Sequence, residues 1–169
     1  MNTYAFSAYK AAAKRRPRLV PRVSRMIRRT IPVGDLVLRL WVANAFWVSA
    51  ITKVQSWDST LYLFQEEYAV PLLPPELAAY LGTGVELAAP VLLAFGVLGR
   101  LAAAVLFLFN IAAVISYPDL GPAGLEQHRV WGVMLLVCWL HGPGRWSADR
   151  LWARHHSRRA RARIPDADV

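Results

Sequence analysis

The chain has 169 residues, of which 56% are apolar and only 18% charged, and its net charge is +9. The charge is partitioned: residues 1–32 hold nine Lys or Arg and no acid, and residues 145–163 hold seven with a single acid, Asp149. Long apolar runs lie between, a division that marks a polytopic membrane protein and argues against nucleic acid as the partner of the basic ends. The one cysteine, Cys138, excludes an intramolecular disulfide and a redox thiol pair.

The Arg-rich lead contains KRRPR, residues 14–18, which resembles a twin-arginine signal. The apolar run beginning at Leu36 is nevertheless long, is interrupted by Asn44, and is followed by no small-residue cleavage site, so it is expected to be a retained span. Before it, LVPRVSRMIRR (19–29) spaces Leu19, Val23, Met26 and Ile27 at helical intervals among arginines. That is the pattern of an amphipathic helix on a membrane surface, within a basic tail over residues 1–33.

Four spans are expected, at about 34–55, 75–98, 100–117 and 127–141, within a domain over 34–144. The second starts at PPE, where proline suits a first helical turn, and Pro118 and the GPG at 142–144 end the third and fourth. The fourth is short in its strictly apolar part, VWGVMLLVCWL. Trp131, Trp139 and Trp146 at its ends suit interfacial anchoring. The loop after the first span is long and aromatic, and STLYLFQEEY within it reads as a short helix resting on the outer end of the bundle.

Lys and Arg fall in both tails and at Arg100 between spans two and three, while the other two loops carry acids and no Lys or Arg. The positive-inside rule therefore places both termini, including the basic tail over 145–169, in the cytoplasm, where anionic lipid headgroups are their partner. The expected fold is all-α: an integral-membrane four-helix bundle with a short helical periplasmic loop and basic cytoplasmic tails.

Charged and amide side chains inside such spans are costly and need partners. Arg39, Phe46 and Lys53 recur every seven residues and share a face, with Ser49 close by. Glu86 sits amid small residues in span two, and Asn44 and Asn110 lie at similar depth in spans one and three. The expected arrangement is a polar seam through Asn44, Glu86 and Asn110 with cationic ends at Arg39 and Lys53, and His128 at the outer mouth of span four. Between the two cations, arginine is the expected closer of the seam, because it keeps its charge and bonds in a fork. The seam has three readings: a structural lock on helix register, a ligand or quinone-headgroup site near Lys53, Glu76, Tyr80, Glu86 and His128, or a proton path. Histidine ordinarily titrates near neutrality, so His128 suits proton exchange with a redox ligand, or is a solvated interfacial histidine.

Met134, Cys138 and His141 line one face of span four and are weak candidates for Cu(I), since packing explains them equally well; no resident metal is expected. No Ser/His/Asp set, CxxC, phosphate loop or zinc spacing is present, so chemistry by this chain requires a cofactor.

The Arg opening span one, FWVSAITKVQSWD closing it, LAAYLGTGVELAAPVLLAFGVLGRLAA across spans two and three, and the His opening span four resemble the DoxX family. More narrowly, WDSTLYLFQEEYAVPLLPPELAAYLGTGVEL with FNIAAVISYP is similar to DoxX-like proteins encoded beside copper-binding, ribosomally made peptides of the bufferin type. The resemblance covers about residues 34–152 and implies a four-span bacterial inner-membrane protein. It also implies treating Arg39, Lys53, Glu86 and His128 as one constellation. By the same resemblance the chain is at most a quinone-linked oxidoreductase subunit, an accessory in copper or redox stress handling or in maturation and export of a copper-binding peptide. Its partner would then be a membrane or periplasmic component of a peptide-maturation or redox complex. The alternatives are a non-enzymatic membrane scaffold and a small proton-coupled transporter using Glu86.

Overall fold

The computed structural model describes residues 19–142 and 144–161, and among these residues it is helical with no strand. The elements are α1 Leu19–Gln55, α2 Trp57–Glu66, α3 Pro75–Phe95, α4 Gly99–Ser116, α5 Gly121–His141 and α6 Ala148–Arg161. The basic lead before residue 19, its KRRPR stretch and the last eight residues lie outside the described residues.

The surface helix expected over 19–29 and the span expected from Gly34 are one continuous helix, α1. Pro32 has no N–H to give, so the helical ladder loses a bond there, yet the helix continues through Pro32 and Gly34. Among the described residues, those up to Gly34 belong to one unit and those from Asp35 onward to another. In the first unit Met26, Ile27 and Ile31 are exposed, and the Thr30 hydroxyl donates to the Ile27 carbonyl at 2.9 Å.

In the second unit α4 packs against α3 on one side and α5 on the other, and α2 packs on α3. Val42, Ala43 and Phe46 of α1 join Ala89 and Leu93 of α3, Leu106 of α4 and Leu135 of α5 in a buried core. Outside that core, large apolar side chains face outward on every long helix, among them Trp41, Leu81, Leu108, Ile115 and Val133. A water-soluble bundle of this size does not expose such a continuous apolar coat; hydrocarbon tails are its natural solvent.

Among the described residues three stretches are long and apolar enough to cross a membrane: Arg29–Gln55, Pro75–Phe95 and Gly99–Ser116. α5 matches α3 in length but carries Glu126, His128 and Arg129 in its first half and is not one of the three. It begins six residues before the expected start of span four, with Pro122 in its first turn.

The ends of the bundle are tied by specific bonds. At the end bearing α2, the Thr60 hydroxyl bonds the Lys53 carbonyl at 3.0 Å and the Ser56 carbonyl at 3.1 Å, seating α2 on the last turn of α1. The Ala69 amide takes the Ser116 carbonyl at 2.8 Å and so closes the end of α4. At the other end α3 stops in a Schellman turn: Gly96 adopts φ +68°, its amide bonds Leu93, and the Val97 amide bonds Leu92.

The C-terminal segment, expected to be a basic cytoplasmic tail, takes part in this second knot. Ser147 is buried and caps α6 by accepting the Arg150 amide at 3.3 Å. The Asp149 carboxylate reaches across to the start of α4, accepting the Leu98 amide at 3.0 Å and the Gly99 amide at 3.1 Å. Leu98 sits at φ +50° and offers no side-chain cap of its own, so the cap comes from a residue some fifty positions along.

Candidate functional site

The α1 face predicted from the 39–46–53 spacing points inward, with Arg39 and Phe46 buried and the Lys53 side chain only 18% exposed. On α3 the small residues Ala79, Gly82, Thr83, Ala89 and Pro90 are buried together with Glu86, which is 4% exposed. An isolated carboxylate here would be costly, and two polar side chains resolve the cost. Lys53 Nζ forms an ion pair with Glu86 Oε2 and donates to Ser49 Oγ at 2.9 Å, while Ser49 Oγ donates to Glu86 Oε1 at 3.2 Å. Ser49 and Lys53 are one turn apart on α1, which is why both reach the same carboxylate.

A second polar pair joins α4 to α5. Asn110 is buried, its Nδ2 donates to the His128 backbone carbonyl at 2.9 Å, and its Oδ1 lies 2.8 Å from His128 Nδ1. Gly132 leaves room for this amide, since a Cβ there would stand 3.4 Å from Asn110 Nδ2. The His128 ring meets Trp131 edge to face at 5.0 Å, and Trp131 packs on Phe46 at 5.7 Å.

These groups wall one cavity of about 420 Å³, which Lys53, Glu86 and His128 line together with Phe109 and Trp131. Small residues on its wall, among them Gly82, Ala112 and Ala113, make the space. Tyr68 and Tyr117, outside the spans, also line it, with their rings packed edge to face at 5.0 Å. Burial, and then the neighbouring Tyr117 and Glu67, push the Tyr68 phenol above its ordinary pKa; the Glu67 carboxylate, followed by burial, does the same to Tyr117. Both remain neutral hydroxyls at physiological pH. The cavity is thus an apolar, aromatic room with a few fixed polar atoms, the usual make-up of a small-molecule site.

The structure separates residues that the sequence reading grouped. Arg39 does not close the seam: its Nη2 donates to the Trp146 carbonyl at 3.0 Å, and its Nη1 lies where a Cβ on Gly96 would sit only 2.8 Å away. Glu86 lies at the depth of Ser49 and Lys53, not midway between the two cations, so the lysine is the partner within reach. Glu76 is exposed in the first turn of α3, where its charge suits the helix dipole, and it does not line the cavity. Tyr80 is exposed and packs on Trp57 at 4.7 Å, also away from the cavity. Asn44 faces outward and lines a separate groove with Trp47 and Pro90.

On α5, Cys138 is buried, Met134 half-buried and His141 exposed, and no cluster of three His, Cys, Asp or Glu side chains suited to a metal occurs among the described residues. Trp131, read from the sequence as an interfacial anchor, is a wall of the cavity. Ser49, Phe109 and Tyr68 were not picked out as site residues; for Ser49 the signal was its place one turn before Lys53 on the charged face.

The DoxX family model matches residues 34–118, which takes in α2, α3, α4 and the Lys53–Glu86 pair but ends before α5 and His128. A Haemophilus influenzae protein described only as uncharacterised is 31% identical, over 70% of this chain and 83% of its own length. No solved structure matches the chain. A family match over half the chain, with a relative aligned along most of its length, makes this membrane protein a member of the DoxX family.

Proposed function

We propose that the cavity between α1, α3, α4 and α5 holds the headgroup of a membrane quinone, and that the chain is a quinone-binding accessory protein of the bacterial inner membrane. One observation carries the reading: a room of about 420 Å³ with aromatic walls at Phe46, Phe109 and Trp131 contains an anchored ammonium, Lys53, and an imidazole, His128. A flat ring with two oxygens, carried on an apolar tail, matches that make-up. The ring packs on the aromatic wall, one oxygen accepts from Lys53, and the tail leaves toward the lipid.

Lys53 is held in place by Glu86 and Ser49, so the pair serves as a positioning device rather than a proton path. In this reading α5 is the fourth crossing and both termini are cytoplasmic, as the Lys/Arg asymmetry requires. The wider role, as the membrane partner of a redox or copper-peptide maturation complex, rests on the resemblance of the outer-loop motif. Titration of the purified protein in lipid nanodiscs with decylubiquinone tests the binding, because Trp131 on the cavity wall is a fluorescent reporter. Saturable quenching that disappears when Ala113→Leu fills the cavity is expected. Quenching that is linear in quinone, or unchanged by the filling substitution, would refute the reading.

A further inference from the structure

The polarity of the cavity wall at His128 is set by a residue that does not line the cavity. Asn110 Nδ2 donates to the His128 backbone carbonyl at 2.9 Å, and this bond orients the carboxamide, since the flipped amide would set oxygen against oxygen. Asn110 Oδ1 therefore faces His128 Nδ1 at 2.8 Å, and Oδ1 can only accept. The proton of the neutral imidazole is thus on Nδ1. Nε2 carries a lone pair and no hydrogen, and among the described residues it has no hydrogen-bond partner.

The other polar atoms of the cavity do not discriminate between ligands in this way. Lys53 spends two of its three N–H bonds on Ser49 and Glu86 and keeps one to give to any oxygen. The Tyr68 hydroxyl can rotate to donate or to accept, and the Tyr117 hydroxyl is engaged by the Glu67 carboxylate. The Glu86 oxygens are already engaged by Lys53 and Ser49, so His128 Nε2 is the acceptor left to take a donor from a ligand.

We infer that this cavity takes the reduced, hydroxyl-bearing ring, a quinol, in preference to the quinone; the inference rests on the proposed quinone-headgroup reading. A quinol presents O–H to Nε2 while the oxygen of its second hydroxyl accepts from Lys53. A quinone has two carbonyl acceptors, so one of them meets the Nε2 lone pair with no hydrogen between them. A site built to pair a hydroxyl rejects the analogue that lacks it, because its own buried polar atom is left unpaired.

The experiment compares binding of decylubiquinol and decylubiquinone to the full-length protein in nanodiscs, anaerobically, for wild type, His128→Gln and Asn110→Leu. Wild type is expected to bind the quinol at least tenfold more tightly. Glutamine offers either polarity, and leucine at position 110 frees the imidazole tautomer, so both variants are expected to bring the ratio near one. The Asn110 variant is diagnostic, because a merely structural role would weaken both forms alike and leave the ratio unchanged. Equal binding of the two forms by wild type, or tighter quinone binding, overturns the preference and leaves the headgroup site standing. Binding of neither form overturns both.

Discussion

Lys53 and Glu86 form an ion pair across α1 and α3, and the Ser49 hydroxyl bridges them, accepting from the lysine at 2.9 Å and donating to the carboxylate at 3.2 Å. The triangle leaves each charge with a partner inside the bundle. It also fixes an ammonium on the wall of a cavity that is otherwise aromatic and apolar. The stability of the bundle and the polarity of the cavity wall therefore meet at these three side chains.

Removing one member of a buried pair strands the other, which typically costs about 3–5 kcal/mol, whereas replacing both by apolar residues is often neutral. Lys53→Met and Glu86→Leu are each expected to lower the unfolding midpoint in detergent markedly. The double variant is expected to regain most of the loss. Additive losses in the double variant would mean that the two charges are not coupled.

The trans cap at the start of α4 has its own signature. Asp149→Ala deprives the Leu98 and Gly99 amides of their acceptor and is expected to destabilise by about 1–2 kcal/mol. It is also expected to expose α6 to limited proteolysis ahead of the rest of the chain. Unchanged cleavage of α6 would mean that Asp149 does not hold it.

Two glycines of α3 and its cap make a matched test of backbone demand. Gly96 sits at φ +68°, and a Cβ there would lie 2.6 Å from the Ser147 Cβ, so Gly96→Ala is expected to destabilise by more than about 1 kcal/mol. A Cβ on Gly84 meets nothing within 4 Å, and Gly84→Ala is expected to be neutral or slightly stabilising. Thermal unfolding of the two variants side by side decides the contrast.

The proposed topology predicts a labelling pattern. In a Cys138→Ser background, Ser59→Cys on α2 is expected to react with a membrane-impermeant maleimide in intact spheroplasts, and Ser157→Cys on α6 only after lysis. Reaction of Ser157→Cys before lysis would reverse the orientation.

The helical membrane bundle was legible in the sequence because long apolar runs and a partition of Lys and Arg admit few other folds. The inward face of α1 was legible too, since Arg39, Phe46 and Lys53 repeat at seven residues. Which cation meets Glu86 was not. The two stand fourteen residues apart, about 21 Å along a helix, and the choice depends on how far α1 is shifted along α3, which no local pattern encodes. Asp149 was hidden for a related reason: a lone acid among arginines reads as solvated, and its partners lie some fifty positions earlier, in a turn with no periodicity. The bond from Asn110 to the His128 main chain is equally invisible, because it depends on how α4 and α5 pack.

The cavity bounded by Lys53, Glu86 and His128 is proposed to hold a quinone headgroup. Photolabelling with an azido-substituted benzoquinone, followed by peptide mapping, tests it most directly. The label is predicted on peptides carrying Tyr68, Tyr117 or His128–Trp131, suppressed by excess decylubiquinol and lost in Ala113→Leu. Label concentrated instead on the outward groove beside Asn44 and Pro90, or undiminished by the competitor, would contradict it.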